Sequence, residues 1–184
     1  VALFWSCYLA VLFPESQERI AAEAARADLS PEGAGAAFDA LPEARAHLDE
    51  AMRLYPPAYL VVRMARKADT LPGPGTRVEE GALISMAPWV LHRHRTLWTD
   101  PERFDPSRFL PGVPPPDRFA YMPFGAGPRI CVGARFAIAE GVIVLARLLR
   151  EFRLEFAGDP TVMPVGRVTT QPDRPVAFRL VRRG

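Results

Sequence analysis

The sequence predicts a mainly α-helical fold with small β-sheets, an α+β class, on three observations. Residues 42–55 and 134–150 carry apolar side chains at helical spacing. Residues 106–120 hold many prolines and no periodicity, which predicts an ordered but irregular connection. Short apolar or alternating runs, bounded by turn residues, predict strands at 60–64, 82–86 and 152–156.

The predicted helices have limits that proline sets. Residues 1–13 are apolar and uncharged, and a run of this length predicts the end of a buried core helix rather than a membrane span. A second helix begins at Pro14, because proline suits the first helical position. The helix that opens at Pro42 stops before Pro56, since a residue that precedes proline is pushed out of the helical region.

The remaining elements are short and follow the helices in order. A turn rich in proline and glycine is predicted at residues 71–75. Residues 168–170 and 176–181 are largely apolar or β-branched, which predicts a closing β-hairpin. The other short elements are strands at 76–78 and 82–86 and a helix at 87–93.

Charge and cysteine content exclude several classes of function. The 184 residues carry 23 basic and 21 acidic side chains, and this net charge of +2 gives no sign of nucleic-acid binding. The two cysteines, Cys7 and Cys131, lie far apart in the sequence and do not indicate a disulfide framework, so a reducing compartment is expected. Cys7 falls within the apolar opening segment and is expected to serve packing.

The most informative segment is 124–133, which places a cysteine on a glycine-rich turn just before an apolar helix. A thiolate, not a thiol, binds iron, and the positive end of the following helix would stabilise the charge on Cys131. Arg129 offers a fork of N–H donors suited to a carboxylate. The alternative is a small buried cysteine in a glycine-rich loop. Five positions define the pattern: Phe124, Gly127, Arg129, Cys131 and Gly133.

This pattern resembles the cysteine-ligand loop of the cytochrome P-450 superfamily, the haem-thiolate monooxygenases. The resemblance implies that Cys131 is the axial ligand of the haem iron, the one metal ligand expected here, and that Arg129 binds a haem propionate. Phe124 would pack near the sulfur and keep water away. Gly127 and Gly133 lack a Cβ, so the backbone there would turn sharply and lie close against the macrocycle.

The same resemblance assigns a second cofactor contact and part of a substrate pocket. Arg63 matches a family arginine that often binds the other propionate, and a strand arginine that faces solvent is its alternative. The turn around Val168 and Thr169 would enter the substrate pocket, with a surface hairpin as the alternative. The expected lining of the pocket is Ala58, Leu60, Val61, Val168 and Thr169.

A scaffold role is implied for three charged residues. Glu50 and Arg53 lie three apart and share one helix face, and such a pair alone is usually a solvated surface bridge. Here the pair matches the Glu-x-x-Arg helix of the family, and residues 101–104 match its Pro-Glu-Arg-Phe segment. Arg103 is therefore expected to meet Glu50 and Arg53 in a structural clamp.

The resemblance also implies an activity. The parent enzyme would insert one oxygen atom from O₂ into an apolar organic substrate, with haem b (iron protoporphyrin IX) as cofactor and a ferredoxin or flavoprotein reductase as electron donor. Two alternatives remain: a peroxide-using peroxygenase or isomerase on the same fold, and a truncated haem-binding module without activity. The expected location is cytoplasmic, or membrane-associated and facing the cytoplasm if an absent N-terminal anchor exists.

Length bears on completeness, since members of the superfamily are normally well over twice as long. Residues 1–184 are therefore expected to be the C-terminal haem-binding portion of a cytochrome P-450 domain whose N-terminal half is absent. The acid–alcohol pair that relays protons in the family would lie upstream of Val1. We expect no catalytic residue in this portion beyond the haem ligand Cys131, and we expect the portion alone to be inactive.

Overall fold

The computed structural model describes residues 1–73 and 75–184, and the predicted α+β class is confirmed. Pro74, which belongs to the turn predicted at 71–75, lies outside the described residues. The helices are α1 (Ala2–Leu12), α2 (Pro14–Ala24), α3 (Ala34–Ala37), α4 (Pro42–Leu54), α5 (Pro88–Leu91) and α6 (Ala134–Glu151). The strands are β1 (Val61–Met64), β2 (Asp69–Thr70), β3 (Arg77–Val78), β4 (Leu83–Met86), β5 (Phe152–Phe156), β6 (Pro164–Gly166), β7 (Thr170–Pro172) and β8 (Phe178–Arg182).

Helix α4 shows how the sequence sets an element's limits. Pro42 occupies the first helical position, and the carboxylate of Glu23 on α2 accepts hydrogen bonds from the N–H groups of Glu43 (2.7 Å) and Ala44 (3.0 Å). These two donors have no partner within the helix, so the carboxylate from α2 caps α4. The helix ends at Leu54, immediately before the Tyr55-Pro56 step, where the sequence predicts its end.

Four helices enclose one apolar core. Helix α2 packs against α6, and α4 packs against both α1 and α6. Small residues let the helices approach closely: a Cβ at Gly141 of α6 would come within 2.8 Å of the Leu48 side chain on α4. The largest apolar members of this core are Ile20, Leu29, Leu41, Leu48, Met52, Leu145 and Leu149.

Helix α6 carries apolar side chains along its whole length, but its buried residues begin only at Gly141. Val142, Leu145 and Leu149 are fully buried, whereas Phe136 near the beginning is 72% exposed. The helix leads directly into β5 at Phe152. Among the residues that the structure describes, no helix combines the length and the apolar character that crossing a bilayer requires.

Buried polar side chains tie the helices together. His47 of α4 makes hydrogen bonds with the Ser16 hydroxyl of α2 (2.8 Å) and the Ser6 carbonyl of α1 (2.9 Å). A carbonyl only accepts, so Nε2 of His47 carries the proton and Nδ1 accepts from Ser16. Gln17 accepts from the Leu154 N–H (2.6 Å) and thereby joins α2 to β5.

The strands form two-stranded antiparallel sheets, and one predicted pairing is wrong. The predicted closing hairpin joins residues 168–170 to 176–181, but β7 pairs with β6, and β8 pairs with β5. Phe178 faces Phe156 across the β5–β8 ladder, and both rings pack against aromatic rings of α1. The ring centroids of Tyr8 and Phe156 are 5.4 Å apart, and those of Phe4 and Phe178 are 6.0 Å apart. Aromatic packing on α1 therefore decides the partner of the last strand.

We predict that His47 makes the free energy of unfolding depend on pH. Burial lowers the pKa of His47 from 6.5 to about 4, so below pH 6.5 the unfolded chain binds a proton that the folded chain excludes. Its stabilising contribution is complete above pH 6.5, is lost as the pH falls toward 4, and amounts to about 3 kcal/mol. Urea denaturation across this range should give a shallower pH dependence for His47→Leu than for the wild type. Parallel curves would contradict the prediction.

Candidate functional site

The loop that carries Cys131 is closed by its own backbone. The N–H of Cys131 donates to the carbonyl of Phe124 (3.0 Å), and a short 3₁₀ helix, Gly127–Arg129, fills the space between them. Gly127 has φ +73° and Gly125 has φ +76°, a left-handed conformation that favours glycine. Gly125 was not among the residues predicted from the sequence. The Gly-x-Gly spacing after Phe124 is the signal that could have found it.

Gly133 differs from the sequence expectation. Its φ of −84° is open to any residue, so the sharp turn does not require glycine at this position. A Cβ there would lie 3.9 Å from the sulfur of Cys131, with no other atom within 4 Å. Gly133 therefore leaves space beside the sulfur rather than permitting a turn.

Cys131 is exposed and lies in an exposed apolar surface. The sulfur precedes α6 by three residues, and the N–H of Ala134, the first residue of α6, donates to the Cys131 carbonyl (3.3 Å). The thiol is not a buried packing residue, which was the alternative. Ile130 and Val132, its neighbours in the sequence, and Phe136 in the first turns of α6 expose large apolar side chains. An apolar surface of this kind marks a binding site.

Two arginines could hold the acidic groups of a ligand. Arg129 ends the 3₁₀ helix two residues before Cys131, and its side chain is exposed. Arg63 on β1 is also exposed, and its guanidinium donates to the carbonyl of its own neighbour, Val62 (2.9 Å). The solvent-facing alternative therefore describes Arg63 in this structure, and no hydrogen bond among the described residues joins it to the Cys131 loop.

Glu50 and Arg53 form a fully buried clamp on α4 rather than a surface bridge. Nε and Nη2 of Arg53 donate to the two carboxylate oxygens of Glu50, at 2.7 and 2.8 Å, and both side chains have no exposed surface. Nη1 donates to the carbonyls of His92 (2.8 Å) and Pro101 (2.6 Å), and Nη2 donates to that of Arg103 (3.0 Å). All the N–H donors of the guanidinium thus have partners.

The second guanidinium near Glu50 belongs to Arg108, and the prediction that Arg103 supplies it is wrong. Nε of Arg108 lies 3.6 Å from Oε1 of Glu50, whereas Arg103 is exposed and meets Arg53 through its backbone carbonyl. Asp105 explains the difference, because its N–H donates to Glu50 (2.8 Å) and its carboxylate accepts from the Ser107 N–H (3.1 Å).

This capped turn opens the 3₁₀ helix Pro106–Phe109, which brings Arg108 back toward α4. The sequence repeats Pro-x-Arg-Phe at 101–104 and 106–109, and the prediction of Arg103 rests on the first copy.

Charge and burial oppose each other at the clamp. Burial raises the pKa of Glu50, while hydrogen bonds from Arg53 and the Asp105 N–H, together with the charge of Arg108, act to lower it. Removal of one member of such a buried pair leaves the other charge unpaired and costs about 3–5 kcal/mol. Each member of the clamp therefore depends on the other for stability, and both lie inside the protein.

Hydrogen bonds hold the residues of the expected substrate pocket near one another. Thr170 joins the β6–β7 hairpin to the Pro56-Pro57 segment: its hydroxyl donates to the Pro56 carbonyl (2.6 Å) and its N–H to that of Pro57 (3.1 Å). The Tyr59 hydroxyl donates to the Arg167 carbonyl (2.9 Å). Val168 and Thr169 therefore form the turn of a hairpin fixed beside the segment that contains Ala58, Leu60 and Val61. Val168 is 91% exposed at the tip.

The described residues fit a haem group. A flat apolar macrocycle needs apolar cover, its iron needs a thiolate, and its carboxylates need cations. The exposed side chains around Cys131, the sulfur itself and the exposed Arg129 supply these features in one loop. A cavity of about 300 Å³ has Phe124 of this loop and Ala137 of α6 in its lining, together with Leu3, Leu48, Met52 and the charged Glu140.

An accessible cysteine just before a helix and a buried Glu-x-x-Arg pair are the two features that the sequence resemblance to the haem-thiolate family predicts. A family model described as "Cytochrome P450" matches residues 1–176. The chain therefore belongs to the cytochrome P450 family, whose members carry haem with a cysteine ligand.

Curated relatives agree with this assignment. The chain is 45% identical over 122 residues to cytochrome P450 4B1 of Rattus norvegicus. The matched segment covers 64% of this chain and 23% of that protein. It is 37% identical over 164 residues to taurochenodeoxycholic 6 alpha-hydroxylase of Sus scrofa, with coverages of 88% and 31%. It is 35% identical over 178 residues to putative cytochrome P450 CYP13A2 of Caenorhabditis elegans, with coverages of 94% and 34%. The chain spans about a quarter to a third of the length of these relatives.

We predict that Arg108→Ala and Arg103→Ala differ in stability. Arg108→Ala removes the charge beside buried Glu50 and a hydrogen bond to the Asp100 carbonyl, and should lower the free energy of unfolding by about 1–2 kcal/mol. Arg103→Ala removes only an exposed side chain and should change it by less than about 0.5 kcal/mol. Urea denaturation followed by circular dichroism measures both. A larger loss for Arg103→Ala would restore the original assignment.

Proposed function

We propose that this chain is the C-terminal haem-binding portion of a haem-thiolate monooxygenase that inserts one oxygen atom from O₂ into an apolar organic substrate. The observation that carries the proposal is the exposed sulfur of Cys131, set in an apolar surface on a loop closed by the Cys131–Phe124 hydrogen bond. Family membership supports it, and one relative bears the name of a hydroxylase.

In this proposal each residue of the loop has a physical task. Cys131 would hold the haem iron through its thiolate sulfur, and α6 begins three residues later, where the positive end of a helix would favour the negative charge. Phe124, which packs against the apolar core, would help to exclude water from the sulfur. Gly127 supplies the left-handed turn, and Gly133 leaves room beside the sulfur. Haem b, when bound, supplies the dioxygen chemistry, which a thiolate ligand favours.

Arginines hold the cofactor's acidic edge in the same proposal. Arg129 and Arg63 are both exposed, so each has a guanidinium available to pair with a propionate. The buried Glu50–Arg53 pair, with Arg108, fixes the frame that presents the loop. The clamp takes no part in the chemistry.

Substrate, electron donor and location complete the proposal. Ala58, Leu60 and Val61, with Val168 and Thr169 of the hairpin tip, form one wall of an apolar substrate pocket, and an apolar small molecule is the class that such a wall accepts. The electron donor is a ferredoxin or a flavoprotein reductase. The parent protein is placed in the cytoplasm or on the cytoplasmic face of a membrane, a location consistent with its two widely spaced cysteines.

We predict that Cys131→Ser abolishes the thiolate signature of the haem-loaded, full-length protein. The reduced, CO-bound wild type should show a strongly red-shifted Soret band, because the iron is bound to an anionic sulfur. Cys7→Ser is the matched control: burial raises the pKa of the Cys7 thiol to about 11, so it stays a neutral packing group and its loss should leave the band in place. Absence of the band in the wild type would remove the monooxygenase proposal.

We predict that the 184-residue chain alone retains haem weakly. Its cysteine surface is open, with Val132 and Phe136 exposed, so water would reach a bound macrocycle. Gel filtration after haem loading should separate most of the haem from the chain, while the full-length protein keeps it. Stoichiometric retention by the short chain would contradict this prediction.

A further inference from the structure

His92 is a fully buried side chain that the proposed function does not use. It follows α5, and its ring makes two hydrogen bonds to different parts of the chain. Nδ1 lies 3.2 Å from the Arg53 carbonyl, and Nε2 lies 2.8 Å from the N–H of Met122. The backbone carbonyl of His92 accepts from the Arg53 guanidinium (2.8 Å). His92 and Arg53 are therefore linked in both directions.

The chemistry of the two partners fixes the state of the ring. A backbone N–H only donates, so Nε2 of His92 accepts from Met122; a carbonyl only accepts, so Nδ1 carries the proton toward Arg53. A neutral imidazole supplies one donor and one acceptor, and a protonated ring would supply two donors. Burial lowers the pKa of His92 to about 4, and the charges of Arg53 and Arg93 act in the same direction.

Met122 begins the segment that leads to the cysteine. Nine positions separate it from Cys131, and the loop closes at Phe124, two residues after Met122. The neighbouring Tyr121 is anchored to α4, because its hydroxyl donates to Oδ1 of Asp49 (2.9 Å). Its ring also packs against that of His92, with the centroids 5.4 Å apart. The start of the loop is thus attached to α4 on two sides.

We propose that His92 is a positioning residue for Cys131, which transmits the fixed position of Arg53 on α4 to the loop that presents the sulfur. The inference rests on the proposed function for the identity of the iron ligand. The contact itself requires no haem. His92 touches neither the sulfur nor any ligand surface, so it acts through the Met122 backbone.

Three variants test this role. His92→Leu removes both hydrogen bonds, and His92→Gln keeps one donor and one acceptor. His47→Leu is the matched control, because His47 of α4 is also a fully buried histidine with two hydrogen bonds, but its partners are Ser6 and Ser16, which are not part of the loop. Both leucine variants should lose comparable stability, and only one should change the loop.

The first readouts use the full-length protein before haem is added. In His92→Leu, hydrogen exchange of the Met122 amide should become about tenfold faster relative to exchange of the core amides in α6, because the loss of one buried hydrogen bond corresponds to a factor of that size. The rate at which Cys131 is alkylated should change by a similar factor. His92→Gln should recover most of the wild-type rates, and His47→Leu should leave both unchanged. Should His92→Leu fail to fold, His92→Gln and His92→Asn are compared with His47→Gln by the same measurements.

The final readout uses the haem-loaded, full-length protein. His92→Leu should lower the fraction of the reduced CO complex that shows the red-shifted band, and His92→Gln should restore it. If the wild type lacks the band, the proposed function fails while the exchange data still decide the role of His92. If the wild type shows the band and His92→Leu matches it in band, exchange and alkylation, the inference is overturned. Equal effects in His47→Leu, or no recovery in His92→Gln, would also overturn it.

Discussion

A single buried cation, the guanidinium of Arg53, connects the parts of this structure that sequence places far apart. Its N–H groups are shared between one carboxylate on its own helix and the backbone of residues 92, 101 and 103. A buried charge is tolerated only when it is paired and fully hydrogen-bonded, so each carbonyl is held where the guanidinium requires it. The irregular segment after α5 therefore owes its shape to a fixed set of donors rather than to regular secondary structure.

The cysteine loop is connected to this clamp indirectly, through residues at the start of the loop. Tyr121 and Met122, at its start, are bonded to Asp49 and to the ring of His92, which in turn is linked to Arg53. The loop's other end enters α6, whose second half is buried in the core. Between these two anchors the chain exposes a sulfur and large apolar side chains. The loop is therefore anchored at both ends and exposed at the sulfur.

Much of this arrangement was predictable from local sequence signals. Pro14, Pro42 and Pro56 set helix limits that the structure reproduces, and the pattern around Cys131 marked the exposed loop. Arg108 was missed because two copies of Pro-x-Arg-Phe are equivalent as sequence, and a turn capped by Asp105 selects the second. The β5–β8 pairing was missed because it depends on aromatic contacts with α1 across most of the chain. Non-local pairing of this kind leaves no short-range signal.

The β6–β7 hairpin has a base whose residues are fixed by contacts and a tip whose residues are free to vary. Thr170 is fixed by Pro56, Pro57 and the indole of Trp5 (2.8 Å), and Gly166 lies so close to the Tyr59 ring that a Cβ would come within 2.7 Å. Between these two residues, Val168 at the tip is exposed and packs against little of the protein. Substitutions at the tip can therefore accumulate during divergence without cost to folding. Descendants of one ancestor can in this way come to prefer different substrates through changes at a few positions.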